Sequence, residues 1–109
     1  MIDSRIHPLS MSNADQAVNR LLQAIADPTR RRILKALKER GGCSIDKDVG
    51  LCASDIEGRI RLSQPTISHH MAILKKVGLV QAKKQGQWMW YRRNEKAIGE
   101  LARKLRETL

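Results

Sequence analysis

Phenylalanine is absent from this 109-residue chain, and Trp88, Trp90 and Tyr91 are its only aromatic residues. Aromatic rings bury the most apolar area per residue, so their scarcity leaves a thin core for a domain of this size. Association with a second subunit is the usual remedy. Cysteine is also scarce, with only Cys43 and Cys52. That excludes a disulfide-stapled secreted scaffold. No apolar run exceeds a few residues, which excludes a membrane-spanning helix; the excess positive charge would suit nucleic acid or an anionic membrane surface, and no membrane partner is expected. The first eleven residues carry Asp3, Arg5, His7 and Pro8 and have no apolar stretch of the export-signal kind. A reducing cytoplasm is therefore the expected location. No nucleophile–base pair, glycine-rich phosphate loop or complete metal-ligand set is evident, so no enzymatic activity is expected.

The most informative absence is acidic. Residues 58–94 contain no Asp or Glu, yet they hold Arg59, Arg61, Lys75, Lys76, Lys83, Lys84, Arg92 and Arg93. The preceding segment, 41–57, is acidic, with Asp46, Asp48, Asp55 and Glu57 against Lys47. The whole chain carries 21 Lys and Arg against 11 Asp and Glu, a net +10. A charge this large and this localised calls for a polyanion, and nucleic acid is the expected partner.

What is present reads as one domain over residues 13–109 behind a flexible tail, 1–12. Asn13 or Asp15 caps a first helix carrying Val18, Leu21, Leu22 and Ile25 at helical spacing. Asp27 caps a second helix with Pro28 in its first turn and Ile33, Leu34 and Leu37 facing inward. Its polar side holds Arg30, Arg31, Arg32, Lys35 and Lys38, and Gly41-Gly42 ends it. Residues 43–53 read as a polar loop. Ser54 or Asp55 caps a short third helix, and Ser63 a fourth with Pro65 in its first turn. A hairpin over 79–84 and 88–92 turns at Gln85-Gly86-Gln87. Asn94 caps a last helix with Ile98, Leu101, Ala102, Leu105 and Leu109 on one side. The fold class is thus mainly α with a small β-hairpin, in the order ααααββα. A short helix, a tight turn and a second helix followed by a basic hairpin is a winged helix-turn-helix.

On the fourth helix, Ile67, Met71 and Leu74 lie within about 40° of one line at 100° per residue. Pro65, His69, Ala72 and Lys76 fall on the far side, and Ser68 and Thr66 flank it. The outward face is therefore small, polar or cationic, as a helix entering the major groove requires. Gln64 can pair with adenine, and Thr66 can offer a methyl to thymine and a hydroxyl to phosphate, or both serve only helix entry. Ser68 and His69 are the expected base readers. His70, on the flank of the buried face, is expected to be packed and hydrogen-bonded. Ser63, Lys75 and Lys76 complete the helix's DNA set. Lys83, Lys84, Gln85, Gln87 and Arg92 supply the hairpin's contacts beside the adjacent minor groove. The Trp88–Trp90 pair either stacks on single-stranded bases or packs and stiffens the hairpin, and packing is the favoured expectation.

The run Ala26-Asp27-Pro28-Thr29-Arg30-Arg31-Arg32-Ile33-Leu34, then Leu62-Ser63-Gln64-Pro65-Thr66-Ile67-Ser68-His69-His70-Met71, then Leu74-Lys75-Lys76-Val77-Gly78-Leu79-Val80, with Gly86 and Tyr91, resembles the ArsR/SmtB (arsenic-repressor) family of winged-helix regulators. The resemblance covers roughly residues 13–108. It implies a homodimer built from the first and last helices, here Val18, Leu21, Leu22, Ile98, Leu101 and Leu105. It implies a palindromic double-stranded operator and repression relieved by an inducer. It also shows where this chain departs. The family's thiolate site has two cysteines one residue apart. Leu51-Cys52-Ala53-Ser54-Asp55 keeps the first and has Ser54 for the second. The last helix carries no His for the family's other metal site, so no metal site is expected. Cys43 and Cys52 remain as a candidate sensor, by disulfide, by sulfenic acid or by gripping a soft metalloid such as a trivalent arsenical, or they are ordinary thiols. The alternatives to a specific repressor are a non-specific architectural nucleic-acid binder and a winged helix used as a protein-interaction module.

Overall fold

The computed structural model describes residues 12–38 and 51–109. The expected tail up to residue 11, the Gly41-Gly42 stop and Cys43 lie outside the described residues. Among the described residues, five helices and three strands follow in the order α1 (Asn13–Ala26), α2 (Pro28–Lys38), β1 (Leu51–Cys52), α3 (Ala53–Ile60), α4 (Gln64–Lys76), β2 (Val80–Gln85), β3 (Trp88–Arg93) and α5 (Glu95–Thr108). This is a winged helix-turn-helix, as the sequence leads one to expect.

Helix boundaries follow from capping chemistry. Ser12, one residue ahead of the expected caps, starts α1: its Oγ accepts from the Asp15 N–H at 3.1 Å and donates to Asp15 Oδ2 at 2.9 Å. Asp27 bends the chain between α1 and α2. Its Oδ1 accepts from the Thr29 and Arg30 N–H groups at 2.7 and 3.1 Å. Cys52, rather than Ser54 or Asp55, occupies the cap position of α3, and its N–H donates to the Asp55 carboxylate at 3.3 Å. Asp55 thus supports the helix from its third position, where a carboxylate also meets the positive end of the helix dipole. Asn94 caps α5 as expected, accepting from the Ala97 N–H at 3.2 Å.

The backbone interactions at Asp27, the Arg30 N–H foremost, hold its carboxyl below the ordinary aspartate range. A depressed folded-state pKa adds stability above the unfolded-state value and loses it as pH falls through the folded one. Asp27→Ala is therefore expected to lower the melting temperature at neutral pH. The difference from the native protein should shrink only as pH falls below the ordinary aspartate value of about 3.9, toward the lower folded-state one at which the carboxyl takes up its proton. An equal difference at both pH values would show that the carboxylate charge plays no part.

Residues 51–52 depart from the expected loop. They pair antiparallel with β3, Leu51 opposite Tyr91 and Cys52 opposite Trp90, giving a three-stranded sheet in the order β1-β3-β2. Two residues of pairing carry no usable periodicity, so the pattern could not show them. Gly86, at φ +61°, lets the hairpin turn tightly between Gln85 and Trp88.

The core gathers Ile33, Ala36 and Leu37 from α2, Ile56 and Ile60 from α3, and Ile67, Met71 and Leu74 from α4, closed by Leu79, Val80 and Leu101. No aromatic ring is among these buried residues, and Tyr91 packs at the edge. Leu101 was expected on a dimer surface. It is 5% exposed and belongs to the chain's own core. The periodic stripe of α5 could not separate residues that join the chain's own core from residues one step round the helix.

The three consecutive arginines of α2, of which Arg31 and Arg32 are exposed, each bond to another helix. Arg30 Nε donates to the Ala24 carbonyl, Arg31 Nη1 to the Ile25 carbonyl at 2.6 Å, and Arg32 Nη2 to the Ile60 carbonyl at 3.3 Å. Each guanidinium thus covers carbonyls at another helix's C-terminal end, which carry the dipole's negative pole. The run Arg30-Arg31-Arg32 clamps α1 and α3 onto α2. Among the described residues no helix is long and apolar enough to cross a membrane.

Candidate nucleic-acid interface

Helix α4 sets the site. Ile67, Met71 and Leu74 are buried, so the rest of the helix turns outward. Ser63, Gln64, Thr66, Ser68, His69, Lys75 and Lys76 are all exposed. The turn that aims α4 depends on Arg61, which adopts the left-handed conformation at φ 62°, its N–H bonding the Glu57 carbonyl at 2.8 Å. Ser63 caps the helix through its backbone. Its hydroxyl meets that of Thr66 at 2.9 Å, so these two side chains form one polar pair at the helix start.

His70 is half-buried, as its position on the helix foretold, and its Nδ1 lies 3.3 Å from Arg30 Nη1. An arginine can only donate, so this contact is a hydrogen bond only with Nδ1 as its acceptor. The His69 ring stands edge-on to it, with centroids 5.5 Å apart. Arg30 therefore joins the end of α1, the Asp27 carboxylate and the middle of α4. The sequence signal for this link was Asp27-Pro28 followed by Arg30, but nothing in it identified His70 as the partner.

The hairpin supplies the second half. Lys83, Lys84, Gln85, Gln87 and Arg92 are exposed, and Arg92 Nε donates to Gln81 Oε1 at 3.0 Å. Directly paired residues share a sheet face, so the register groups Gln81 with Arg92, Lys83 with Trp90 and Gln85 with Trp88. Val80, Ala82 and Tyr91 lie on the opposite face, against the core, where burial pushes the Tyr91 phenol up. Core packing is thus overturned for Trp88, which is 53% exposed, whereas Trp90 is half-buried on the same face, beside Lys83 and the buried Cys52. The alternation of a strand placed the two rings together but could not say which face met the core.

Cys52 is buried at 8% exposure. Its Sγ donates to Asp55 Oδ2 at 3.0 Å and lies 3.1 Å from Ser54 Oγ. The residue that replaces the expected second cysteine therefore sits within reach of the first. Any pairing of Cys52 with Cys43 falls outside the described residues. Among those residues, no group of His, Cys, Asp and Glu is arranged to hold a metal ion.

Comparison with known proteins supplies an independent line. The family model described as "Bacterial regulatory protein, arsR family" matches residues 27–82, from the cap of α2 into the hairpin. An uncharacterized HTH-type transcriptional regulator of Methanocaldococcus jannaschii is 44% identical over 71 residues, 65% of this chain and 71% of its own. The transcriptional repressor SdpR of Bacillus subtilis is 39% identical over 77 residues, 71% of this chain and 76% of its own. Among solved structures, an ArsR-like transcriptional regulator from Rhodococcus superposes with a TM-score of 0.70 at 26% identity. That match covers 89% of this chain and 83% of the other.

Proposed function

The chain belongs to the arsR family of bacterial regulatory proteins, and we propose on that footing that it is a sequence-specific repressor. It binds a palindromic operator as a cytoplasmic homodimer and releases it on an inducing signal. As a DNA-binding regulator it has no catalytic step to perform, and its chemistry is recognition. The observation that carries this reading is the division of α4. One side is buried, and the other presents Ser63, Gln64, Thr66, Ser68 and His69 beside an acid-free cationic hairpin. In this reading Ser68 and His69 reach base edges, with Gln64 and Thr66 beside them. Lys75, Lys76, Lys83, Lys84 and Arg92 neutralise phosphates, and Gln85 and Gln87 add polar contacts at the wing.

Dimerisation rests on the two terminal helices. Val18, Leu21 and Leu22 on α1 and Ile98 and Leu105 on α5 are only half-buried within one chain, so apolar area remains for a partner to cover. Two-fold symmetry would set the recognition helices about 34 Å apart, one turn of duplex. The release signal has one candidate in the thiols. Cys52 caps α3 and is paired through β1 to Trp90 of the wing, so oxidation or a soft metalloid bridging Cys43 and Cys52 would reach both halves of the reading surface. Cys52→Ser would abolish the response to a thiol oxidant in that case and leave operator binding intact.

The test is selection of duplexes from a random pool, then competition of the best site against random duplex, with sedimentation of the complex. A palindrome bound by two chains and preferred at least a thousandfold supports the reading. Equal affinity for random duplex would make this an architectural binder. No affinity for DNA at low salt would leave a protein-interaction module.

A further inference from the structure

A groove of about 590 Å³ is lined by residues of α1, α2, β3 and α5 and by Leu79, and by none of α4. Its apolar lining is Ile25, Leu34, Leu79, Ile98 and Leu101, and its other lining residues are Arg31, Lys35, Lys38 and Arg93. Among the described residues, no acidic one lines it. The size falls within the range of small-molecule sites, and apolar walls with a few placed polar groups are their usual make-up. Arg31, Lys35 and Lys38 lie outside the acid-free cationic stretch, and Arg93, its last cation, is paired with Val80 on the sheet face opposite Lys83 and Arg92.

Two of the cations are fixed in place. Arg31 is held by the Ile25 carbonyl at 2.6 Å, which uses one of its five donors. Arg93 pairs with Glu95, Nε to Oε2 at 3.0 Å and Nη2 to Oε1 at 3.0 Å. A carboxylate entering the groove would compete with Glu95 for Arg93 and meet Arg31 across an apolar floor. Preorganised guanidinium groups bind carboxylates in a fork geometry that lysine cannot match.

The groove also touches the parts that aim the reading surface. Leu79 follows α4, and its carbonyl accepts from the Asn94 N–H at 2.9 Å, while Asn94 Nδ2 donates to the Gly78 carbonyl at 3.0 Å. The end of α4, the root of the wing and the start of α5 are thus tied together at one edge of the groove. Ile98 belongs both to the groove and to the proposed dimer seam.

We propose that this groove binds an anionic amphiphile, a carboxylate on an apolar body, and that its occupancy weakens operator binding. The binding half stands on the groove itself; the second half rests on the repressor reading above. The probe is decanoate, followed by calorimetry without DNA, with decanol and decylammonium as the neutral and cationic controls. Decanoate should bind at least about tenfold more tightly than either control. Arg31→Gln and Arg93→Gln should each weaken it about three- to tenfold, and both variants should hold the operator within about threefold of the native protein. If one variant does not fold, the other decides. Decanoate should also lower operator affinity in the native protein at concentrations that track its binding. Equal binding of all three amphiphiles would overturn the site, as would native decanoate affinity in both variants. A decanoate complex that holds the operator undiminished would overturn its regulatory role. Failure of the chain to prefer any duplex counts against the repressor reading alone, because calorimetry needs no DNA.

Discussion

Replacing Ser68 or His69 with alanine is expected to erase much of the preference for the operator over random duplex, whereas Lys84→Ala should weaken both almost equally. The difference follows from where the groups sit. Ser68 and His69 are exposed on the outward side of α4, beyond the buried line of Ile67, Met71 and Leu74, where a helix in the major groove meets base edges. A good base contact is worth about 1–3 kcal/mol of discrimination, and a two-fold dimer makes it twice. The specificity ratio should therefore fall by about tenfold or more. Lys84 stands on the hairpin and can meet only phosphate or the groove edge, so its loss should leave the ratio unchanged. It should also flatten the plot of log affinity against log salt by about two units per dimer. Lys75, Lys76, Lys83, Lys84 and Arg92 give five cations per subunit, ten in a dimer. Contacts of that number predict a loss of about 10³–10⁵ in affinity between roughly 50 and 200 mM salt. Fluorescence anisotropy with two duplexes at several salt concentrations measures both quantities. Should Ser68→Ala, His69→Ala and Lys84→Ala all lower the two affinities in the same proportion, base reading by α4 would be wrong.

The arrangement behind that expectation was legible where a local rule acts alone. The buried line of α4 and its outward residues came from the 3.6-residue period. The starts of α2 and α5 came from Asp27-Pro28 and from Asn94. What stayed hidden required knowing which surfaces meet. The arginines of α2 look like a charged face until α1 and α3 bring their carbonyl ends alongside. Leu101 and Ile98 share one apolar stripe, yet the first is buried by the chain's own core and the second only partly covered. Trp88 follows the strand alternation, but the alternation does not say which face is wet. Of the wider site, the cationic wing could be read from the missing acids. The groove beneath α2 could not, because its lining comes from five separate stretches of chain.

Leu74→Ala is expected to cost about 2–5 kcal/mol, enough to remove a large share of the roughly 5–15 kcal/mol that holds a domain of this kind together. Leu74 is fully buried in a core whose buried members are aliphatic side chains and one methionine, with Tyr91 only at its edge. The cost therefore includes a cavity as well as lost burial. The same residue's carbonyl accepts the Leu79 N–H at 3.0 Å, where the chain leaves α4, turns at Gly78 with φ +82° and enters β2. Loosening Leu74 thus frees the recognition helix and the wing together. Leu74→Met, which keeps the volume, should cost under about 1.5 kcal/mol. Urea unfolding at one fixed protein concentration separates the two, since the stability of the proposed dimer would depend on that concentration. The alanine variant should unfold at a lower urea midpoint with an unchanged slope. Its operator affinity should fall in step with the folded fraction as temperature rises and recover on cooling. An alanine variant with the native midpoint would show that the core does not depend on this side chain, and the coupling of helix to wing through Leu74 would go with it.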